Sequence, residues 1–183
     1  MGHPHGPLSM PKSATVLLIR HAEKSGDPDD PELTSAGQAR AQAYVAYFQT
    51  LDLDSARIAA PAWLIAKADD AESRRGRLTL EPLAAALRLP IDTALDEASV
   101  GRLAQRLLED ARYDDATTLV CWSHKHLPAL AKALGAPKSL LPDGWPEDVF
   151  GWLLRLDYDA TGALVAATRH EQRLMFGDCG TSS

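Results

Sequence analysis

Cysteine is scarce in this 183-residue chain, which has only Cys121 and Cys179. One lies in an apolar run and the other in a Gly-rich tail. That placement offers neither a disulfide framework nor zinc-knuckle spacing, and it implies a reducing, cytoplasmic setting. Long apolar runs are also missing. No stretch approaches the roughly 20 residues that a membrane-spanning helix needs, so no membrane partner is expected. Residues 1–13 hold glycine, proline and two histidines but no apolar signal-peptide core, and they read as a flexible leader. The remainder, 14–183, is long enough to bury one core and reads as a single domain. Positive charge is in deficit, with 19 Lys and Arg against 25 Asp and Glu, a formal charge of −6. Bulk attraction to nucleic acid is thereby excluded. Any anion site must be assembled locally from a few cations.

What the chain does contain is an alternation of strand and helix patterns. Thr15–Ile19 (TVLLI) is a short β-branched apolar run, the pattern of a buried strand. A polar Asp/Pro-rich loop follows over 23–31. An apolar stripe of Ala39, Ala43, Val45, Tyr47 and Phe48 then predicts a helix from Ser35 to about Leu51. Arg57–Ala60 reads as a weak second strand, and 61–72 as a loop with a helical turn. Arg77–Leu89 has helical character, with Pro82 expected in the first turn, where proline costs least. Ile91–Thr93 suggests a brief strand, Ser99–Ala111 an amphipathic helix and Thr117–Trp122 (TTLVCW) a second buried strand. Leu127–Leu134 reads as a helix closed by Gly135. Finally, 149–158 and 163–168 flank Asp159-Ala160-Thr161-Gly162, a hairpin signal. The alternation predicts a three-layer α/β/α sandwich with a mainly parallel sheet and an antiparallel edge.

In such sheets ligands gather beyond the carboxyl ends of the strands. The residues just after the two convincing strands are Arg20-His21 and Ser123-His124. A third element, Ser73-Arg74-Arg75-Gly76-Arg77, brings three arginines to a helix start. Guanidinium groups match phosphate in a planar fork, and a neutral imidazole is a competent nucleophile at phosphorus. Taken singly, a histidine after a strand or an arginine-rich turn is more often solvated surface; it is the set in order that carries the signal.

That order resembles a known family. Leu17-Leu18-Ile19-Arg20-His21-Ala22-Glu23 is similar to the opening motif of the histidine phosphatase superfamily, which includes the phosphoglycerate mutases. Leu33-Thr34-Ser35-Ala36-Gly37-Gln38-Ala39-Arg40-Ala41 resembles its helix-opening segment. Ser73-Arg74-Arg75 with Thr79 four residues on resembles its second arginine motif, a spacing that selects Arg75. Val120-Cys121-Trp122-Ser123-His124 resembles its second-histidine motif. The matches run from Thr15 to Gly135, and the tail segment from Gln172 resembles a small bacterial branch. The resemblance implies a phosphoglycerate mutase-like fold and a phosphohistidine on His21, with Arg20, Arg75 and His124 binding the phosphoryl oxygens. It implies neither metal nor organic cofactor. Three departures stand out. Ala22 replaces the usual glycine, Lys125-His126 stands where the family shows two glycines, and 23–31 lacks the asparagine of the mutases.

Lys125 and His126 are candidate substrate contacts, although a solvated lysine and a helix N-terminal histidine are equally consistent readings. Glu97, in the loop before the helix at Ser99, is the candidate general acid, with Asp96 as its neighbour and Glu23 and Asp27 as remoter choices. The leading expectation is a phosphatase acting on a small phosphate ester, a phosphoramidate or a phosphoprotein. A mutase-like phosphotransferase and a catalytically weak phosphate-binding module are the alternatives. A metal site on His21, His124 and His126 is disfavoured, since no carboxylate sits at ligand spacing and the arginines would repel a cation. Nothing in the sequence sets an oligomeric state.

Overall fold

The computed structural model describes residues 13–178. The expected leader therefore lies outside the described residues except for Ser13, as does Cys179. The six-stranded sheet is built on β1 (Thr15–Arg20), whose side chains alternate between two apolar layers. Leu17 and Ile19 meet one cluster, while Val16 and Leu18 meet the other. A strand buried on both faces needs this continuous apolar run, which is why its sequence shows no polar alternation.

Strand β1 is followed by helix α1 (Ser35–Tyr47), a two-stranded ribbon of β2 (Asp52–Leu53) and β3 (Ala56–Arg57), and strand β4 (Trp63–Ala66). Next come α2 (Arg75–Leu87), β5 (Ile91–Asp92), α3 (Val100–Glu109), β6 (Thr117–Trp122) and α4 (Leu127–Ala133). The hairpin of β7 (Trp152–Tyr158) and β8 (Leu164–Glu171) closes the chain. The strand order is β5-β4-β6-β1-β7-β8. The first four strands are parallel, and β7 and β8 run antiparallel at one edge. Tyr44 and Phe48 with Leu80 and Leu83 bring α1 and α2 onto one face. Leu103, Leu107, Leu127 and Leu130 bring α3 and α4 onto the other. This is the expected three-layer α/β/α sandwich. Among the described residues no helix is long and apolar enough to cross a membrane.

Several boundaries differ from the sequence reading. The segment read as loop and helical turn contains β4, a four-residue strand paired with β5 and β6 on its two sides. Four residues show no period, so only its neighbours reveal it. Arg57 pairs within the separate ribbon rather than in the main sheet, because Asp54 and Ser55 both take positive φ and turn the chain tightly back. Helix α2 begins at Arg75, so Pro82 sits mid-helix and one backbone hydrogen bond is given up there. Strand β7 starts at Trp152 instead of Val149, since the carbonyls of Glu147 and Val149 serve Arg20. Gln172 and Asp178 in the tail are buried polar groups held by Arg40.

Candidate functional site

Parallel pairing of β1 and β6 sets Arg20 beside Trp122, and the His21 N–H donates to the Trp122 carbonyl at 3.1 Å. The register therefore delivers His21 and Ser123-His124 to one end of the sheet. A cleft of about 500 Å³ opens there, lined among others by His21, Arg75, Glu97, His124 and Lys125.

His21 is 5% exposed. Its Nδ1 lies 2.8 Å from the Ala22 carbonyl, which can only accept, so Nδ1 carries the proton and Nε2 is the free lone pair. Burial, with the nearby charges of Arg20 and Arg75, pulls the imidazole down to about 3. It is neutral at ordinary pH. His124 is lowered to about 4 by burial, Arg20 and Lys24.

Arg20 is fully buried at the end of β1 and is not among the residues that line the cleft. Its Nη1 donates to the carbonyls of Glu147 (2.5 Å) and Val149 (3.0 Å), and its guanidinium stacks on Phe150 at 3.8 Å. Its Nε and Nη2 have no hydrogen-bond partner among the described residues. Burial brings Arg20 down to about 10, opposed by Glu147 and assisted by Arg75, so it remains cationic. Buried guanidinium donors without partners are costly, and an oxyanion is the ligand that satisfies them.

The three arginines at α2 separate by environment. Arg74 pairs with Glu32, and Arg77 with Asp69 and Glu81. Arg75 lines the cleft; its Nη1 donates to the Asp30 carbonyl at 2.7 Å, its Nε has no partner, and burial lowers its pKa. Thr79 ties this helix to the histidine loop. Its hydroxyl accepts the Ala22 N–H at 2.8 Å and donates to the Arg75 carbonyl at 2.7 Å. At α1, the N-cap Thr34 accepts the Gly37 N–H at 3.1 Å. A Cβ on Gly37 would stand 2.5 Å from the Glu23 carbonyl, so only glycine lets this helix approach the loop after His21 so closely.

Glu97 is placed by Trp122, whose Nε1 donates to the Glu97 carbonyl at 2.9 Å. Asp96 instead accepts from the Ser99 hydroxyl at 2.6 Å and is not part of the cleft wall. Lys125 is exposed on the lining. His126 stands at the start of α4 outside the lining, with Nδ1 3.1 Å from Ser123 Oγ and 3.3 Å from Glu97 Oε1. The sequence reading missed Lys24, Lys67, Asp70 and Glu147, which also line the cleft. Lys67 follows β4, so recognising that strand would have exposed it. Among the described residues no group of three His, Cys, Asp or Glu side chains is placed to hold a metal ion.

No protein-family model matches the sequence, and no curated protein does. Solved structures do match. A candidate phosphohistidine phosphatase, SixA from Agrobacterium tumefaciens, is 22% identical with a TM-score of 0.54, over 87% of this chain and 98% of that one. A candidate SixA from Nakamurella multipartita is 19% identical with a TM-score of 0.50, over 89% and 99%. The chain thus has the phosphoglycerate mutase-like fold of the histidine phosphatases.

Proposed function

We propose that this protein is a phosphatase that hydrolyses a phosphomonoester or phosphoramidate through a phosphohistidine on His21. The observation that carries the reading is the His21 tautomer. Nδ1 is committed to the Ala22 carbonyl and the ring is held neutral, which leaves Nε2 as a nucleophile beside cations. In the first step Nε2 attacks phosphorus, the bond from phosphorus to the leaving oxygen or nitrogen breaks, and Arg20, Arg75 and His124 hydrogen-bond the equatorial oxygens. Glu97, when protonated, donates its proton to a leaving alkoxide. Water then attacks the phosphohistidine and gives a proton to the Glu97 carboxylate, and the P–N bond breaks to release inorganic phosphate and restore Nε2. Cationic side chains supply the charge stabilisation, so the scheme uses no metal. Lys125 at the mouth contacts the rest of the substrate, a small phosphorylated molecule or a phosphoprotein, and the scarcity of cysteine suits a cytoplasmic setting.

The test is hydrolysis of an aryl phosphate with and without EDTA, beside His21→Ala. Turnover that resists the chelator and disappears in the variant is expected. Activity persisting in His21→Ala would overturn the phosphohistidine route, and loss with EDTA would overturn metal independence.

A further inference from the structure

Lys67 is a lysine with 3% exposure in the wall of the cleft. Lysine is almost never so buried without a partner. Its Nζ donates to Asp70 Oδ2 at 2.8 Å and to the Ala68 carbonyl at 3.1 Å, using two of three protons. The position follows from the sheet. The Lys67 N–H donates to the Cys121 carbonyl at 3.3 Å, and the His21 N–H donates to the next carbonyl, Trp122. Lys67 and His21 therefore flank the end of β6 from opposite sides. Two strand spacings put their backbones about 10 Å apart, within combined side-chain reach of one bound anion.

The neighbouring helix start is shaped to receive the lysine. A Cβ on Gly76 would come within 3.3 Å of Lys67 Cγ, so the missing side chain lets the lysine stem lie against the residue after Arg75. Asp70 completes the arrangement. Its Oδ2 holds Lys67, and its charge also acts on Arg75. Its Oδ1 accepts the N–H groups of Glu72 (2.9 Å) and Ser73 (2.8 Å), which shapes the loop from β4 to α2. One carboxylate oxygen thus builds the loop while the other neutralises a cation facing the cleft.

We propose that Lys67 is a further phosphoryl-binding residue, and that Asp70 is the internal anion an incoming phosphate displaces from it. The proposal rests on the phosphatase reading. In the free protein the ion pair keeps a buried ammonium satisfied. When phosphate enters, the ammonium turns to a non-bridging oxygen, and Asp70, whose side chain is 46% exposed, is hydrated instead. No bond is made or broken in this exchange. Asp70 thereby sets an affinity ceiling that favours product release.

The experiment measures the dissociation constant for inorganic phosphate by calorimetry, together with KM and kcat on an aryl phosphate. The variants are Lys67→Met, Asp70→Asn, the double variant and His21→Ala. Lys67→Met should weaken phosphate and raise KM about tenfold or more, the loss of one charged hydrogen bond. Asp70→Asn keeps Oδ1 for the loop and should tighten phosphate several-fold, and the double variant should bind like Lys67→Met alone. Unchanged phosphate affinity in Lys67→Met would overturn the proposal, as would weakening by Asp70→Asn. Should Lys67→Met fail to fold, Asp70→Asn alone decides by its direction. Turnover surviving in His21→Ala would instead refute the phosphohistidine route, and absence of turnover in the wild type would refute the underlying phosphatase reading, so these failures are distinct from that of the Lys67 proposal.

Discussion

The Thr79 hydroxyl accepts the backbone N–H of Ala22 at 2.8 Å while donating to the carbonyl of Arg75 at 2.7 Å. One fully buried side chain thus connects the residue after the candidate nucleophile to a candidate phosphate-binding arginine. Thr79→Val keeps the shape and removes both bonds, leaving a buried N–H unpaired. The expected loss is about 1–3 kcal/mol in urea unfolding, with a fall in kcat on an aryl phosphate. Thr79→Ser should keep both properties near wild type, and wild-type stability in Thr79→Val would refute the role of the hydroxyl.

The imidazoles give a pH prediction. His21 is lowered to about 3 and His124 to about 4, chiefly by burial. An NMR titration of the folded protein should show both rings neutral down to about pH 5. In the unfolded chain they take up protons near 6.5, so between 6.5 and 3 the unfolded state binds more protons. Their contribution to stability is full above pH 6.5 and is lost as pH falls towards 3. His21→Asn should flatten part of that slope. A His21 resonance titrating near 6.5 in the folded protein would contradict the assignment.

The tail is anchored electrostatically. Arg40, with a side chain 3% exposed, reaches Glu23 (2.5 Å), Gln172 (2.8 Å) and both oxygens of Asp178 (2.6 and 2.9 Å). Removing Asp178 takes away two charged hydrogen bonds, each worth about 1.5–3 kcal/mol, while Glu23 still pairs with Arg40. Asp178→Ala should lose stability on that scale in urea unfolding. A loss below about 1 kcal/mol would show that the pair is solvated in solution.

Glu97 is tested by the leaving group. Glu97→Gln should lower kcat on an alkyl phosphate about 10²–10⁴-fold, the usual contribution of a positioned acid. An aryl phosphate, whose leaving group needs no proton, should be hydrolysed almost as fast as by wild type. Equal effects on both substrates would remove Glu97 from the acid role and leave it as an electrostatic neighbour of His126.

Helix α1 shows how far a motif can be read. Leu33-Thr34-Ser35-Ala36-Gly37 announced a helix start, and the reason for Gly37 lies in the contact with Glu23, on a different element. Arg75 was separated from Arg74 and Arg77 by the spacing to Thr79, and in the structure these three arginines have different partners. Strand β4 was missed because its four residues carry no period, and Lys67 was missed with it.

The amino-acid order alone determined the two long buried strands β1 and β6, the helices around them and the placement of Arg20, His21 and His124 at strand ends. Those features are local: apolar runs, helical spacing and residues immediately after a strand. Tertiary structure decided that His21, Arg75 and Lys67 line one cleft and that Arg74 and Arg77 do not. These depend on register between strands distant in sequence, and a few ångströms of pairing decide whether a charge faces the cleft or solvent.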